Sequence, residues 1–160
     1  MIKRLLQTTN DPVLTIVRLT LGVVFFAHGA QKALGWFGGY GFAGTLEGFS
    51  KMGVPVLLAL FVILTEFLGS LALIFGVFAR VASAAILVLM VGAVATVHAQ
   101  FGFYMNWFGQ QKGEGFEYHL LAIGLAVAVM VRGAGALSID RLLLNGNREL
   151  NSAGTLNPTA

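Results

Sequence analysis

The sequence contains no cysteine among its 160 residues. A chain without cysteine cannot form disulfides, cannot use a thiolate as a nucleophile and cannot give thiolate ligands to a metal. Thiol chemistry associated with this protein would therefore have to take place on a partner or a substrate. The absence by itself says nothing about the cellular compartment.

Charged residues are also scarce. They make up 11% of the chain, whereas a typical soluble domain has about 25%. Hydrophobic residues reach 57% and the mean hydropathy is +0.82. Because so few polar side chains cannot cover a globule in water, the composition favours lipid as the solvent. The net charge is +3, but the ten basic residues are spread along the chain without a basic stripe, which argues against nucleic-acid binding.

Four long apolar runs dominate the rest of the sequence, at about residues 12–36, 54–78, 81–101 and 116–137. Each supplies the roughly 20 apolar residues that a membrane-spanning helix requires. We therefore predict an all-α fold, a four-helix transmembrane bundle that forms one domain over residues 1–144. The polar tail at 145–160 is predicted to be disordered.

Local signals mark the ends of the runs. Asp11 followed by Pro12 predicts a helix N-cap with proline at the first helical position. Only Phe78 to Arg80 separate the second and third runs, which predicts a tight antiparallel hairpin. The first run is long for the apolar region of a signal peptide and contains Arg18, so we interpret it as a retained span.

Basic residues near the ends of the runs predict the orientation, because cytoplasmic loops carry an excess of Lys and Arg. With the N-terminus inside, two basic residues lie outside, Lys51 and Lys112. Six lie on the cytoplasmic side, namely Lys3, Arg4, Arg80, Arg132, Arg141 and Arg148. Both termini are therefore predicted to be cytoplasmic.

The two predicted outer loops have distinct compositions. Residues 37–53 are rich in glycine and contain a predicted short interfacial helix near Thr45–Met52. Residues 101–115 are rich in aromatic side chains, which suit the membrane interface. The aromatic loop is interpreted either as an interfacial anchor or as a lid over a site.

Ionisable residues inside the apolar runs are few. A charge at the centre of a bilayer costs roughly 2.5–3.5 kcal/mol on insertion scales, so such residues usually face the bundle interior and have a partner. They are Arg18, His28 and Lys32 on the first run, Glu66 on the second, His98 on the third, and Glu117 and His119 on the fourth.

Helical geometry groups some of these residues on one face. At about 100° per residue, Arg18, Gly22, His28, Gly29 and Lys32 lie on one side of the first run. The small residues permit close helix approach in a membrane. We therefore expect this face to look into the bundle.

Two interpretations of the ionisable residues are open. In the first, Arg18 and Glu66 form a structural ion pair. In the second, a pocket open to the outer leaflet is lined by His28, Lys32, Glu66, His98 and Glu117. Lys32 could instead extend to the interface as an anchor. Glu117 and His119 point in nearly opposite directions on the fourth run, so they are not expected to serve the same site.

A metal site is not predicted. His28, His98 and a carboxylate have suitable ligand chemistry. No helix, however, carries a His-x-x-x-His or Glu-x-x-His pairing.

Four stretches in order, "RLTLGVVFFAHGAQKALGWFGGYG", "EFLGSLALIFGVFAR", "GFEYHLLAI" and "GAGALSID", resemble the DoxX family of bacterial inner-membrane proteins. The resemblance runs from Arg18 to Asp140 and implies a four-helix bundle in the inner (plasma) membrane. Its recurring positions are Arg18, His28, Gly29, Lys32, Gly35, Trp36, Gly38, Gly39, Glu66, Gly69, His98, Glu117 and Tyr118. Trp36 and Tyr118 thereby join the predicted pocket residues, whereas His119 is not part of the pattern.

The resemblance also implies a redox function. Family members are commonly named oxidoreductases, relatives include the membrane subunit of a thiosulfate:quinone oxidoreductase, and others are linked to redox-stress systems through partner proteins. We therefore predict a small membrane redox component that binds a quinone or a lipid-like ligand. His28 and Lys32 would donate hydrogen bonds to a quinone carbonyl, while Glu66 and Glu117 would take or relay protons.

Two other functions stay open, a non-enzymatic scaffold for a redox complex and a small-solute transporter. No flavin, haem or iron–sulfur motif is present, so no catalytic residue or resident cofactor is assigned, and electrons would come from a partner redox protein. The expected partners are the lipid bilayer, a quinone or lipidic ligand, a redox protein and further copies of the chain in a homo-oligomer.

Overall fold

The computed structural model describes residues 2–145, and every regular element in that range is a helix. In chain order the helices are α1 (Ile2–Leu5), α2 (Pro12–Leu34), α3 (Gly41–Lys51), α4 (Val56–Phe75), α5 (Ala79–Phe101), α6 (Glu117–Arg132) and α7 (described over 139–145). The predicted all-α class is confirmed. The predicted disordered tail lies outside the described residues, apart from residue 145, and so does Arg148.

Three helices are long and apolar enough to cross a membrane, namely α2 with 23 residues, α4 with 20 and α5 with 23. Their bounds lie within three residues of the predicted ones. The fourth apolar run, predicted to span 116–137, is helical only over Glu117–Arg132, which is 16 residues. The helix ends where Gly133 adopts a positive φ of +93°, and a Cβ at this position would lie 2.4 Å from the carbonyl oxygen of Gln7.

The helices pack in a ring. Helix α2 contacts α4 and α6, and α5 contacts α6 and the second half of α4, Thr65–Gly69 and Ser70–Phe75. One end of the bundle, here called the loop end, carries α3, the start of α4, the end of α5 and the start of α6. The other, here called the terminal end, carries the start of α2, the α4–α5 turn and residues 133–145.

Between the helices lies a core of aliphatic and small residues with one large aromatic side chain. Its members include Leu21, Phe25, Leu73, Ile86, Ala126 and Val129, all at most 2% exposed. Small side chains let the helix backbones approach closely in a membrane, where dispersion contacts replace the hydrophobic effect as the driving force. A close approach joins α2 and α4, since a Cβ on Gly29 would lie 2.5 Å from the carbonyl carbon of Glu66.

The predicted start of α2 is confirmed. The Asp11 side chain accepts a 2.8 Å hydrogen bond from the backbone nitrogen of Val13, and Pro12 occupies the first turn. The short α4–α5 turn is also present, and it contains Phe78 in the left-handed region at φ +47°.

The α4–α5 turn is stabilised from the C-terminal segment. Asp140 is 1% exposed, and its two carboxylate oxygens accept hydrogen bonds from the backbone nitrogens of Phe78 at 2.7 Å and Ala79 at 3.0 Å. Burial raises the pKa of the Asp140 carboxyl, while these two hydrogen bonds and the nearby guanidinium groups of Arg18 and Arg80 oppose the rise. Asp140 thus caps α5 through space, 61 residues away from Ala79 in sequence.

The predicted Arg18–Glu66 ion pair is wrong. Arg18 is 1% exposed and donates from Nε to the carbonyl oxygen of Ala134 at 2.8 Å and from Nη1 to that of Ile74 at 2.8 Å. It also donates to the carbonyl oxygens of Leu73 and Leu137. These carbonyls are available because α4 ends nearby and residues 133–138 are not helical, so backbone dipoles take the place of a carboxylate around the guanidinium.

Candidate functional site

Two helices of the bundle contain a π-helical turn, at Thr65–Gly69 in α4 and at Val94–His98 in α5. Glu66 lies in the first turn and His98 in the second. Such turns insert a residue into the i→i+4 hydrogen-bond ladder and are frequent at functional sites, because the insertion redirects side chains. The ionisable residues of α4 and α5 in the site therefore both lie in locally irregular backbone.

Lys32 and Glu66 form an ion pair between α2 and α4. Lys32 Nζ donates a 2.6 Å hydrogen bond to Oε2 of Glu66, and the two side chains are 26% and 9% exposed. Gly29 lies about one turn before Lys32, and its missing side chain allows the two helices to come close enough for this bond. The lysine thus provides the partner that an intramembrane carboxylate requires.

A cavity of about 520 Å³ lies between α2, α4, α5 and the start of α6 at the loop end. Its walls are mainly apolar, with side chains such as Phe25, Phe61, Val62, Leu89 and Met90. Its polar lining is provided by His28, Lys32, Glu66, Thr96, His98, Glu114, Tyr118 and His119. A cavity of this size with apolar walls and a few convergent polar groups has the usual character of a small-molecule site.

Four of the polar residues have rings that lie next to one another in a row, His98, His119, Tyr118 and His28. The ring centroids of His98 and His119 are 4.0 Å apart, those of His119 and Tyr118 are 5.4 Å apart, and those of Tyr118 and His28 are 6.3 Å apart. His98 Nδ1 lies 2.8 Å from the carbonyl oxygen of Glu114. Because a carbonyl only accepts, this nitrogen carries a proton and the Nε2 of a neutral His98 is an acceptor.

Two buried polar atoms of the cavity residues have no hydrogen-bond partner in the described structure, the Tyr118 hydroxyl and His119 Nδ1. Leaving such an atom unsatisfied costs about 1–3 kcal/mol, and an orphan group in a native fold calls for an explanation. Both residues line the cavity. His119 itself is 6% exposed.

The cavity opens sideways, between α4 and α5. Leu58 and Phe61 on α4 and Val88 and Val97 on α5 line it, yet they are 49%, 36%, 61% and 47% exposed. The contacts between the two helices concentrate in the second half of α4. The first half of α4 therefore diverges from α5 and leaves an apolar opening on the side of the bundle.

The structure brings five of the predicted pocket residues to this cavity and leaves two outside it. His28, Lys32, Glu66, His98 and Tyr118 line it. Trp36 does not; it is 53% exposed and makes an edge contact with the ring of Phe26.

Glu117 also lies outside the cavity. Its Oε1 accepts hydrogen bonds from the backbone nitrogen of Met105 at 3.1 Å and from Trp107 Nε1 at 2.9 Å, so it fastens the 102–116 loop to α6. The opposite directions of Glu117 and His119 were predicted correctly, but His119 is the one that faces the site. The hydrogen bonds between Glu117 and the 102–116 loop could not be predicted from the sequence. The sequence therefore did not indicate which of the two side chains faces the site.

Comparisons with known proteins assign the chain to a family. The family model named DoxX matches residues 13–99, a range that includes His28, Lys32, Glu66 and His98. The chain belongs to the DoxX family. The match ends before α6, so Tyr118 and His119 lie beyond the matched range.

Curated relatives agree with this assignment. The chain is 30% identical over 138 residues to "Inner membrane protein YqjF" of Escherichia coli (strain K12), covering 86% of this chain and 97% of the relative. It is 26% identical over 136 residues to "Putative oxidoreductase CatD" of Bacillus subtilis (strain 168), covering 85% and 90%. No solved structure matches the chain. With its three apolar helices, this DoxX protein is a multi-pass protein of the inner membrane.

Proposed function

We propose that this DoxX protein is a redox-associated membrane component whose cavity binds the headgroup of a quinone or of a similar lipid-soluble ligand. The observation that carries the proposal is the pairing of an apolar, laterally open cavity with buried polar atoms that have no partner. A lipid-soluble molecule would enter from the bilayer between α4 and α5, and its polar head would meet the polar rings at the inner wall.

The polar lining suits a ring with carbonyl groups at opposite edges. The Tyr118 hydroxyl can donate to one carbonyl, and Lys32, already bonded to Glu66, has further ammonium protons for another. His28 and His119 can donate or accept as the ligand requires. Glu66 accepts the hydrogen bond from Lys32 and holds that ammonium in place, which makes it a positioning residue in this scheme.

The redox part of the proposal rests on the family. One relative is named an oxidoreductase, and the sequence carries no motif for flavin, haem or an iron–sulfur cluster. Electrons for a bound quinone would therefore be exchanged with a partner protein. In this proposal α6 is the fourth span of a single domain over 1–144, both termini are cytoplasmic, and copies of the chain associate.

A space-filling variant tests the cavity. Gly92 lines it from α5, and a Cβ built there meets no atom within 4 Å, so Gly92→Phe is expected to place its ring in the opening. Gly124 on α6 also has free space around its Cβ but does not line the cavity, which makes Gly124→Phe the matched control. Binding of decylubiquinone to each purified variant in lipid nanodiscs is measured, together with its thermal unfolding.

Wild type and Gly124→Phe are expected to bind the quinone, while Gly92→Phe is expected to bind at least about tenfold more weakly, a loss of about 1.4 kcal/mol, at unchanged unfolding temperature. Equal binding by all three proteins would show that the cavity is not the quinone site. Absence of binding by wild type would overturn the quinone proposal and favour a scaffold function.

A further inference from the structure

A second cavity, of about 320 Å³, lies beneath α3 at the loop end. Here it is called the vestibule. Its side-chain lining includes Gln31, Lys32, Tyr40, Thr45, Phe49 and Met52, and the rest of its wall is the backbone of four glycines. A space of this size can hold several water molecules.

The vestibule adjoins the larger cavity at two residues. Lys32 and Phe49 line both spaces. Lys32 is the one charged residue in the vestibule lining, and its ammonium is bonded to Glu66, which lines only the larger cavity. Lys32 therefore lies in the wall between the two spaces, with its ammonium bonded to a carboxylate of the larger cavity.

The chemistry of α3 indicates that the vestibule faces water. Glu47 and Lys51 form an ion pair on its outer face at 2.6 Å, with side chains 67% and 73% exposed, and no residue of α3 is buried. Charged side chains are costly in hydrocarbon, so this exposed ion pair is suited to water. The mouth of the vestibule therefore lies beside a water-facing part of α3.

Glycines keep this space open. A Cβ on Gly48 would meet no atom within 4 Å, so the position could carry a side chain without a clash and instead borders empty space. Tyr40 and Met52, at the rim, are 87% and 69% exposed. The vestibule thus has an open mouth beside the polar face of α3.

We infer that the vestibule is a separate aqueous binding site that admits small hydrophilic solutes to the Lys32–Glu66 pair, while lipid-soluble ligands enter the larger cavity from the bilayer. The claim about the lipid-soluble ligand rests on the proposed function, whereas water access to the vestibule does not. The ion pair and Phe49 would then separate a space filled with water from a space open to the bilayer.

The absence of native cysteine permits a direct test with single thiols. Gly48→Cys places a thiol in the vestibule, Glu47→Cys places one on the outer face of α3, and Ser83→Cys replaces a 0% exposed core residue. Each full-length variant is reconstituted in lipid vesicles and treated with a charged, membrane-impermeant methanethiosulfonate. The rate of modification is measured, and the Glu47→Cys protein reports the fraction of molecules whose loop end faces the reagent.

Within that accessible fraction, Gly48→Cys is expected to react at a rate within tenfold of Glu47→Cys, and Ser83→Cys is expected to stay unmodified. Failure of Gly48→Cys to react in vesicles would overturn the inference. Reaction in detergent but not in vesicles would overturn it as well, because a lipid headgroup would then occupy the space.

A second measurement tests the separation of the two entrances. The Gly48→Cys protein carrying the bulky adduct is expected to bind decylubiquinone as well as the unmodified protein does. Loss of quinone binding on modification would show one continuous compartment and overturn the two-entrance arrangement. Wild type that binds no quinone would count against the proposed function alone, since the labelling rates do not depend on it.

Discussion

Lys32 on α2 and Glu66 on α4 are joined by a hydrogen bond of 2.6 Å between Nζ and Oε2, at the wall between the vestibule and the larger cavity. The carboxylate lies inside a π-helical turn, and the lysine is in the last turn of its helix. Both charges are thus anchored where the helix geometry changes. The pair holds α2 and α4 together and also supplies charged groups to the site.

Removing one member of this pair is expected to destabilise the fold. Lys32→Met should lower the free energy of unfolding by roughly 3 kcal/mol, because loss of one partner leaves a buried, uncompensated charge. The double variant Lys32→Met/Glu66→Gln should recover most of that loss. Unfolding in mixed detergent micelles measures each protein, and strictly additive effects of the two substitutions would contradict a direct interaction.

The close approach of α2 and α4 makes Gly29 sensitive to any side chain. A Cβ there would lie 2.5 Å from the carbonyl carbon of Glu66 and from the backbone nitrogen of Phe67. Gly29→Ala must therefore push the helices apart, at a cost of roughly 1–3 kcal/mol or more. Gly124→Ala, with open space around its Cβ, should be neutral or stabilising by up to about 1 kcal/mol. Equal unfolding free energies for the two variants would contradict the observed packing.

Arg18 is expected to stabilise the terminal end through geometry as much as through charge. It donates to four carbonyl oxygens on two separate segments. Arg18→Lys keeps the charge but lacks the planar fork of donors, so it should lose at least about 2 kcal/mol of unfolding free energy, since hydrogen bonds to charged groups contribute about 1.5–3 kcal/mol each. Arg132→Lys, at an exposed position, is the control and should change little.

The same variants test the correction to the predicted ion pair. Because Arg18 and Glu66 use different partners, Arg18→Lys and Glu66→Gln should have additive effects on the unfolding free energy. If one substitution instead reduced the effect of the other, the result would support an Arg18–Glu66 ion pair and contradict the structure.

Hydropathy and capping chemistry were sufficient to predict much of the fold. The apolar runs gave α2, α4 and α5 to within three residues, and Asp11 caps α2 as predicted. Such signals are local, so they can be read without knowing which segments meet. The fourth run was overestimated because the helix ends at Gly133, where the backbone of Gln7, 126 residues earlier in the chain, leaves no room for a side chain.

Helical periodicity was only partly sufficient to predict the site. It placed His28 and Lys32 on the face of α2 that looks into the bundle, and both line the cavity. It could not reveal the π-helical turns, nor that residues 133–138 bring carbonyls to Arg18. The choice between Glu117 and His119 depended on the 102–116 loop, whose backbone closes on itself through hydrogen bonds such as Glu117 N to Phe103 O at 2.9 Å.

Replacing Tyr118 distinguishes a ligand-binding role of its unpartnered hydroxyl from a structural role. A side chain kept for stability should cost stability when removed, whereas Tyr118→Phe deletes a buried group that has no hydrogen-bond partner. The ligand-free variant is therefore expected to unfold at the same temperature as wild type or higher.

The affinity of the Tyr118→Phe protein for decylubiquinone should fall about fivefold, which corresponds to a net hydrogen bond of about 1 kcal/mol. Tyr104→Phe, at a position 69% exposed and outside the cavity, should change neither quantity. A Tyr118→Phe protein that is less stable without ligand, yet binds the quinone as tightly as wild type, would assign the hydroxyl to the fold and remove it from the site.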